Sequence, residues 1–242
     1  MAGYYSFNRY ELKYIIDHEQ VNDLWVEMGE RLEADRHNRA DGGYKIASLY
    51  YDSGDLRCYW EKIDGEKNRR KVRLRTYLNE GGQPLGKSFL EIKQRINRTV
   101  QKRRTDLSIG AAQRFLQTGS PPEQAEQPHV IAEIGYLRHA FQLRPTLVVS
   151  YKRKAFYGVF DDGLRVTLDY HVKCRADALD PASEEWGYYM VPPDRVVMEI
   201  KVNDKVPLWL SLLLGRFNIV ATRISKYCLG VETAIRGRTS PM

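Results

Sequence analysis

The stretch KVRLRTY, residues 71–77, alternates cationic and apolar residues at strict period two, a pattern that a strand satisfies and a helix does not. In a strand, Lys71, Arg73 and Arg75 share one face while Val72 and Leu74 take the other. Five more segments repeat the design. FNRYELKYII sets Glu11 and Lys13 opposite Leu12 and Tyr14, and SFLEIKQRI sets Glu91, Lys93 and Arg95 opposite Leu90 and Ile92. TLVVSYKRKAFYG carries Arg153, and GLRVTLDYHV places Arg165, Thr167 and Asp169 on one side. RVVMEIKV sets Glu199 and Lys201 opposite Met198, Ile200 and Val202. A charged strand face normally meets solvent. These faces, however, are mostly Arg and Lys punctuated by Glu, whereas outward faces of soluble sheets mix the signs more evenly.

The apolar faces need cover, and the chain supplies amphipathic helices to provide it. Val21, Leu24, Trp25, Met28 and Leu32 fall at helical spacing over 19–32 behind a candidate N-cap, Asp17. Residues 52–55 read as a turn into a short helix, and 108–116, 132–142 and 207–217 as further helices. SPPEQAEQP reads as a surface loop, and Arg98, Lys102, Arg103 and Arg104 extend the basic character beyond the 88–96 strand. With helices outside a closed sheet, the charged strand faces turn inward, so the expected class is α+β with a charged barrel lumen. A single domain over 1–242 is expected, with a core of about 7–231 and a polar tail at 236–242.

Charges in such a lumen stay hydrated and paired, because an unpaired buried ion costs several kcal/mol. Lys and Arg number 38 against 31 acids, a formal charge of +7, so an anionic partner is expected. Arg offers forked donors to phosphate oxygens and Lys a point charge, while carboxylates suit a divalent cation that bridges phosphates. Cys58, Cys174 and Cys228 have neither disulfide nor zinc spacing, which fits a reducing cytoplasm. The longest apolar run, LWLSLLLG from Leu208, is too short to span a bilayer, so membrane association is expected only through a partner. No Ser-His-Asp arrangement, Walker loop or HExxH motif competes, and Tyr50, Tyr51, Tyr77 and Tyr227 read as strand-packing residues.

RYELKY, SLYYDS, KVRLR, FLEIKQ, SYKRKAF, LRVTLD, VMEIKV and ISKY, in that order, resemble the triphosphate tunnel metalloenzymes. More narrowly they resemble the polyphosphate polymerase domain of the vacuolar transporter chaperone (VTC) proteins. The resemblance implies a closed antiparallel eight-stranded barrel covered outside by helices. It implies that Lys13, Arg73, Arg75, Lys93, Arg153, Arg165, Lys201 and Lys226 line the catalytic tunnel, and that Arg9, Arg98, Lys102 and Ser225 contact substrate. Glu199, with Glu11 and Glu91, would hold Mn²⁺ or Mg²⁺. The implied reaction moves the γ-phosphate of ATP onto phosphate or polyphosphate. Arg9 stands where the hydrolase branches carry the first Glu of Glu-x-Glu-x-Lys, which leans the resemblance toward a polymerase. The alternatives are a tripolyphosphatase or nucleoside triphosphatase and a non-catalytic polyphosphate or nucleotide binder. Nucleic acid is not expected as a partner, because single-stranded binders do not need Glu alternating with Lys and Arg on one face.

Overall fold

The computed structural model describes residues 10–38, 42–97, 99–123, 125–183 and 187–239. The strands are β1 (Tyr10–Asp17), β2 (Leu32–Ala34), β3 (Tyr44–Asp52), β4 (Asn68–Leu78), β5 (Ser88–Ile96), β6 (Thr99–Leu107), β7 (Arg144–Gly158), β8 (Arg165–Arg175), β9 (Tyr188–Tyr189) and β10 (Arg195–Val202). The helices are α1 (His18–Met28), α2 (Arg57–Ile63), α3 (Ile109–Thr118), α4 (Pro128–Phe141), α5 (Leu208–Arg216) and α6 (Lys226–Thr239).

The strands hydrogen-bond in the order β1-β10-β8-β7-β3-β4-β5-β6, with β2 on β7 and β9 on β8. Among the described residues this path has two ends, β1 and β6, so the expected closed eight-stranded barrel is corrected to an open ten-stranded sheet. The physical reason is that period-two alternation says which side chains share a face, and that is the same in an open and a closed sheet. Closure depends on hydrogen bonds and stagger between the two terminal strands. The antiparallel pairing and the covering helices are as expected. Strand β6 was not anticipated, because in TVQKRRTDL only Thr105 and Leu107 are buried. It is specified by its continuous register on β5, from Ser88 opposite Leu107 to Ile96 opposite Thr99.

Two compact units partition the chain. The first comprises 1–44, 151–172 and 191–224. In it β1 pairs with β10 and β10 with β8, both antiparallel. Their apolar face, with Tyr14, Ile16, Val166, Leu168, Met198 and Ile200, is buried against Leu24 and Met28 of α1 and Leu210, Leu213 and Leu214 of α5. A capping box starts α1: the Asp17 carboxylate accepts from the Gln20 amide at 2.8 Å, and the Asp17 amide donates to the Gln20 side chain. The helix ends at Met28, one turn short of the expected 32, and Leu32 begins β2 instead.

The second unit comprises 45–150, 173–190 and 225–242. Here β3, β4, β5 and β6 form an antiparallel run whose apolar face carries Leu49, Tyr51, Val72, Leu74, Leu90 and Ile92. Phe115 and Leu116 of α3 and Ile131, Ile134 and Leu137 of α4 cover it. Each such side chain withdrawn from water contributes roughly 1.5–3 kcal/mol. Arg138 of α4 donates to the carbonyls of Leu116 and Gln117 at 2.7 and 2.6 Å, closing the C-terminus of α3 and docking the two helices. Helix α6 packs closely through Gly230, where a Cβ would fall 2.5 Å from Leu147 Cδ2. Its first turn is tied to β3 by Tyr227, which donates to Asp52.

Candidate functional site

In the second unit, register alone places the cations together. Arg73 lies opposite both Tyr50 of β3 and Glu91 of β5, and Glu91 lies opposite Arg104 of β6. Lys71, Lys93 and Lys102 form the next row, and Arg75 lies opposite Ser48. Cross-strand partners share a face. The face therefore carries Arg69, Lys71, Arg73, Arg75, Lys93, Arg95, Lys102 and Arg104 against Glu91 and Asp106.

Glu91 is the hub of this cluster. It is 1% exposed, accepts from Arg73 Nε at 2.7 Å and lies 3.5 Å from Lys102 Nζ. Burial pushes its carboxyl up, but Arg73, Arg75 and Lys102 together outweigh burial and hold it down at about 2. Arg73 Nη1 also donates to Tyr50 Oη at 3.1 Å, and Arg75 Nε donates to Ser48 Oγ at 3.3 Å.

The ISKY segment belongs to the same unit and forms the entry to α6. Ser225 Oγ accepts from the Cys228 amide at 3.4 Å and its carbonyl accepts from the Leu229 amide, so Ser225 and Lys226 sit at the first turn. Tyr227 donates to the fully buried Asp52, which also accepts from the Ser53 and Cys58 amides at 2.8 Å. The Tyr227 ring lies 5.1 Å from that of Tyr50, and Lys71 Nζ stands 4.6 Å from the Tyr227 centroid. Tyr227 is thus a helix residue rather than the strand residue expected, and Tyr50 lies on the charged face rather than in the core with Tyr51.

In the first unit the register sets Glu11 opposite Lys201 and Lys201 opposite Arg165, then Lys13 opposite Glu199 and Glu199 opposite Thr167. Glu199 is surrounded: Lys201 Nζ donates to it at 3.0 Å, and Arg153 Nη2 and Lys13 Nζ lie at 3.7 and 3.8 Å. Arg153, 6% exposed, donates from Nε and Nη2 to the two oxygens of Asp169 at 2.6 and 2.7 Å. Burial alone would lower the pKa of this guanidinium; Asp169 and Glu199 more than offset that and raise it. Arg165 Nη2 donates to Asp35 at 2.9 Å. Burial brings the Lys201 ammonium down to about 8 despite Glu199 beside it.

The expected site residues therefore fall into two groups, each gathered within one unit. Glu11, Lys13, Arg153, Arg165, Glu199 and Lys201 belong to the first, and Arg73, Arg75, Glu91, Lys93, Lys102, Ser225 and Lys226 to the second. Arg9 and Arg98 lie outside the described residues. Three residues in these clusters were not assigned to a charged face from sequence: Tyr50, Asp52 and Asp35. Tyr50 and Asp52 share strand parity with Ser48, so parity was the available signal for both. Asp35 reaches its cluster by tertiary contact alone.

Among the described residues no group of three or more His, Cys, Asp or Glu gathers as a metal cage. A cation that arrives on phosphates needs only one or two protein carboxylates. Lys13 Nζ lies 3.2 Å from Glu11 Oε1 and 3.8 Å from Glu199 Oε1, so these carboxylates from neighbouring strands already share one positive charge. Those two residues fit such a cation. Glu91 likewise has both oxygens turned to cations, Arg73 and Lys102.

The fold has a known counterpart. A Bacillus halodurans protein described as a candidate adenylate cyclase shares the fold at a TM-score of 0.54, with 12% identity, over 90% of this chain and 95% of that one. A Pyrococcus horikoshii protein aligns at a TM-score of 0.49 and 16% identity, over 93% of this chain and 98% of its own. The chain belongs to the VTC domain family, whose profile matches residues 8–235, as the ordered strand motifs led one to expect. It is 25% identical over 230 residues to subunit 4 of the vacuolar transporter chaperone complex of Trypanosoma brucei brucei, covering 79% of this chain and 28% of that protein. The chain thus spans just over a quarter of the length of that relative.

Proposed function

We propose that the chain is a metal-dependent polyphosphate polymerase. In this reading the γ-phosphorus of ATP forms a bond to an oxygen of an acceptor phosphate or polyphosphate, its bond to the β-phosphate oxygen breaks, and ADP leaves with that electron pair. Phosphoryl transfer asks for positioning and charge neutralisation more than for a protein nucleophile. The observation that carries the proposal is the cationic face of β4, β5 and β6, where the Arg73 guanidinium is braced by Glu91 and Tyr50.

Arg73, Arg75, Lys93 and Lys102, with Lys226 and Ser225 at the start of α6, are assigned to phosphate oxygens. Glu199 and Glu11 are assigned to Mn²⁺ or Mg²⁺, which when bound would neutralise phosphate charge. Lys13 and Lys201, beside those carboxylates, are assigned to phosphate oxygens, while Arg153 and Arg165 are held in place by Asp169 and Asp35. Membership of the VTC domain family supports polyphosphate chemistry, and Arg9 in place of a leading Glu supports a phosphate acceptor over water. Among the described residues no helix is long and apolar enough to cross a membrane.

The test is incubation with ATP and Mn²⁺ or Mg²⁺, with products resolved by gel and phosphorus NMR. Chains longer than triphosphate are expected, and Glu199→Gln should lower their yield at least ~tenfold while raising the metal concentration needed. Free phosphate as the sole product would make the protein a hydrolase. Tight binding of ATP or polyphosphate without turnover would make it a binding module.

A further inference from the structure

We infer that Tyr50 is a phosphate-binding and positioning residue of the second unit's face, its hydroxyl receiving an N–H from Arg73 and giving its own proton to a phosphate oxygen. This role rests on the polyphosphate reading above and extends it to a side chain that strand patterning assigns to packing. Tyr50 lies opposite Arg73 in the β3–β4 register, on the face that carries the cations. Arg73 Nη1 supplies a hydrogen to Tyr50 Oη at 3.1 Å, and among the described residues no acceptor stands opposite the phenol's own proton. A buried hydroxyl whose proton has no acceptor is costly, and an anion delivered to this face would remove that cost.

The ring is not free to swing away. Tyr227 packs on it at 5.1 Å and is itself anchored on Asp52, while Arg73 is held on its other side by Glu91 at 2.7 Å. The Arg73 fork and the phenol oxygen therefore present their donors in one fixed arrangement, the kind of preorganisation that favours phosphoryl transfer.

The charged groups facing Tyr50 are Arg73 and Arg75 of β4 and Lys93 of β5, with Lys71 beyond the stacked Tyr227. Burial pushes the phenol up, but these cations draw it down to about 8. A bound polyanion opposes them. It keeps the phenol protonated, so ligand binding should suppress tyrosinate formation at a pH near 8.

The experiment is titration of the intact chain with tripolyphosphate by calorimetry at neutral pH, together with tyrosinate absorbance near pH 8 with and without the ligand. Tyr50→Phe, which keeps the stacking ring, should weaken binding by ~3- to 10-fold and abolish the ligand-induced loss of tyrosinate signal. Arg73→Lys, which keeps the charge but removes the hydrogen bond at Nη1, should shift the tyrosinate titration upward. Unchanged affinity in Tyr50→Phe overturns the role of Tyr50 and leaves the polymerase reading standing. Weakened affinity with no change of tyrosinate signal in the unmodified chain also overturns it, reducing Tyr50 to packing. No tripolyphosphate binding by the unmodified chain would overturn the polymerase reading and this role together.

Discussion

The two charged faces are built from the same strand pattern and solve opposite electrostatic problems. In the first unit each cation has a carboxylate at hand: Arg153 on Asp169, Arg165 on Asp35, Lys201 on Glu199 and Lys13 on Glu11. In the second, one buried carboxylate, Glu91, serves Arg73 and Lys102, while further cations crowd the same strands. A balanced face is stable without ligand and lends its carboxylates to a metal. A face with surplus positive charge stores repulsion that a polyanion relieves. The difference teaches that strand parity alone does not define a site; the ratio of acids to bases on the face decides what it attracts.

The largest expected effect breaks the balanced face. Asp169→Asn removes the charge that holds Arg153, and losing one partner of a buried ion pair costs about 3–5 kcal/mol. Chemical denaturation should show this loss, and a change below about 1 kcal/mol would mean that the pair is not a structural element. The next prediction probes the cationic face. The Glu91 carboxyl, held at about 2 against an ordinary 4.5, contributes stability that is fully present above the ordinary value and is lost as pH falls toward 2. Glu91→Gln should therefore lower stability at neutral pH by about 3 kcal/mol and flatten the acid limb of the stability profile. Tripolyphosphate affinity then separates two effects: an undiminished affinity means that the added positive charge of the face dominates, and a fall in a folded variant means that the hold of Glu91 on Arg73 dominates.

The smallest effect sharpens the contrast. The Lys201 ammonium is present below about 8 and is lost as pH rises through it, so its contribution to anion binding fades in the same sense. Lys201→Arg stays charged, and should reduce the alkaline loss of tripolyphosphate affinity by ~threefold. Whatever alkaline loss remains belongs to the cationic face and to Tyr50. An identical pH profile in this variant would place the whole alkaline response in the second unit.

Most of the strand faces were legible in the sequence, because period two in KVRLR, FLEIK and MEIKV leaves one assignment of inside and outside. Asp17 and Ser108 as helix starts were legible for the same local reason: each side chain caps a backbone amide within three residues. Strand β6 was not, since Lys102 to Arg104 interrupt any alternation and the register on β5 decides its state. Nor was Tyr50, whose neighbour Tyr51 is buried in the core while Tyr50 itself turns to Arg73. Two adjacent tyrosines look alike until the strand's partner is known.

By itself the sequence determined the class of the fold, the face on which the charges of the alternating strands lie and the family to which the chain belongs. These follow from short-range geometry, in which each side chain's direction is set by its own backbone. Only the tertiary structure decided that the described sheet is open, that the charges form one balanced and one cationic cluster, and that Asp52, Asp35 and Tyr50 join them. Those outcomes depend on which strands exchange hydrogen bonds and on contacts between residues more than a hundred positions apart, such as Asp52 with Tyr227 and Asp35 with Arg165, and no local pattern encodes such pairings.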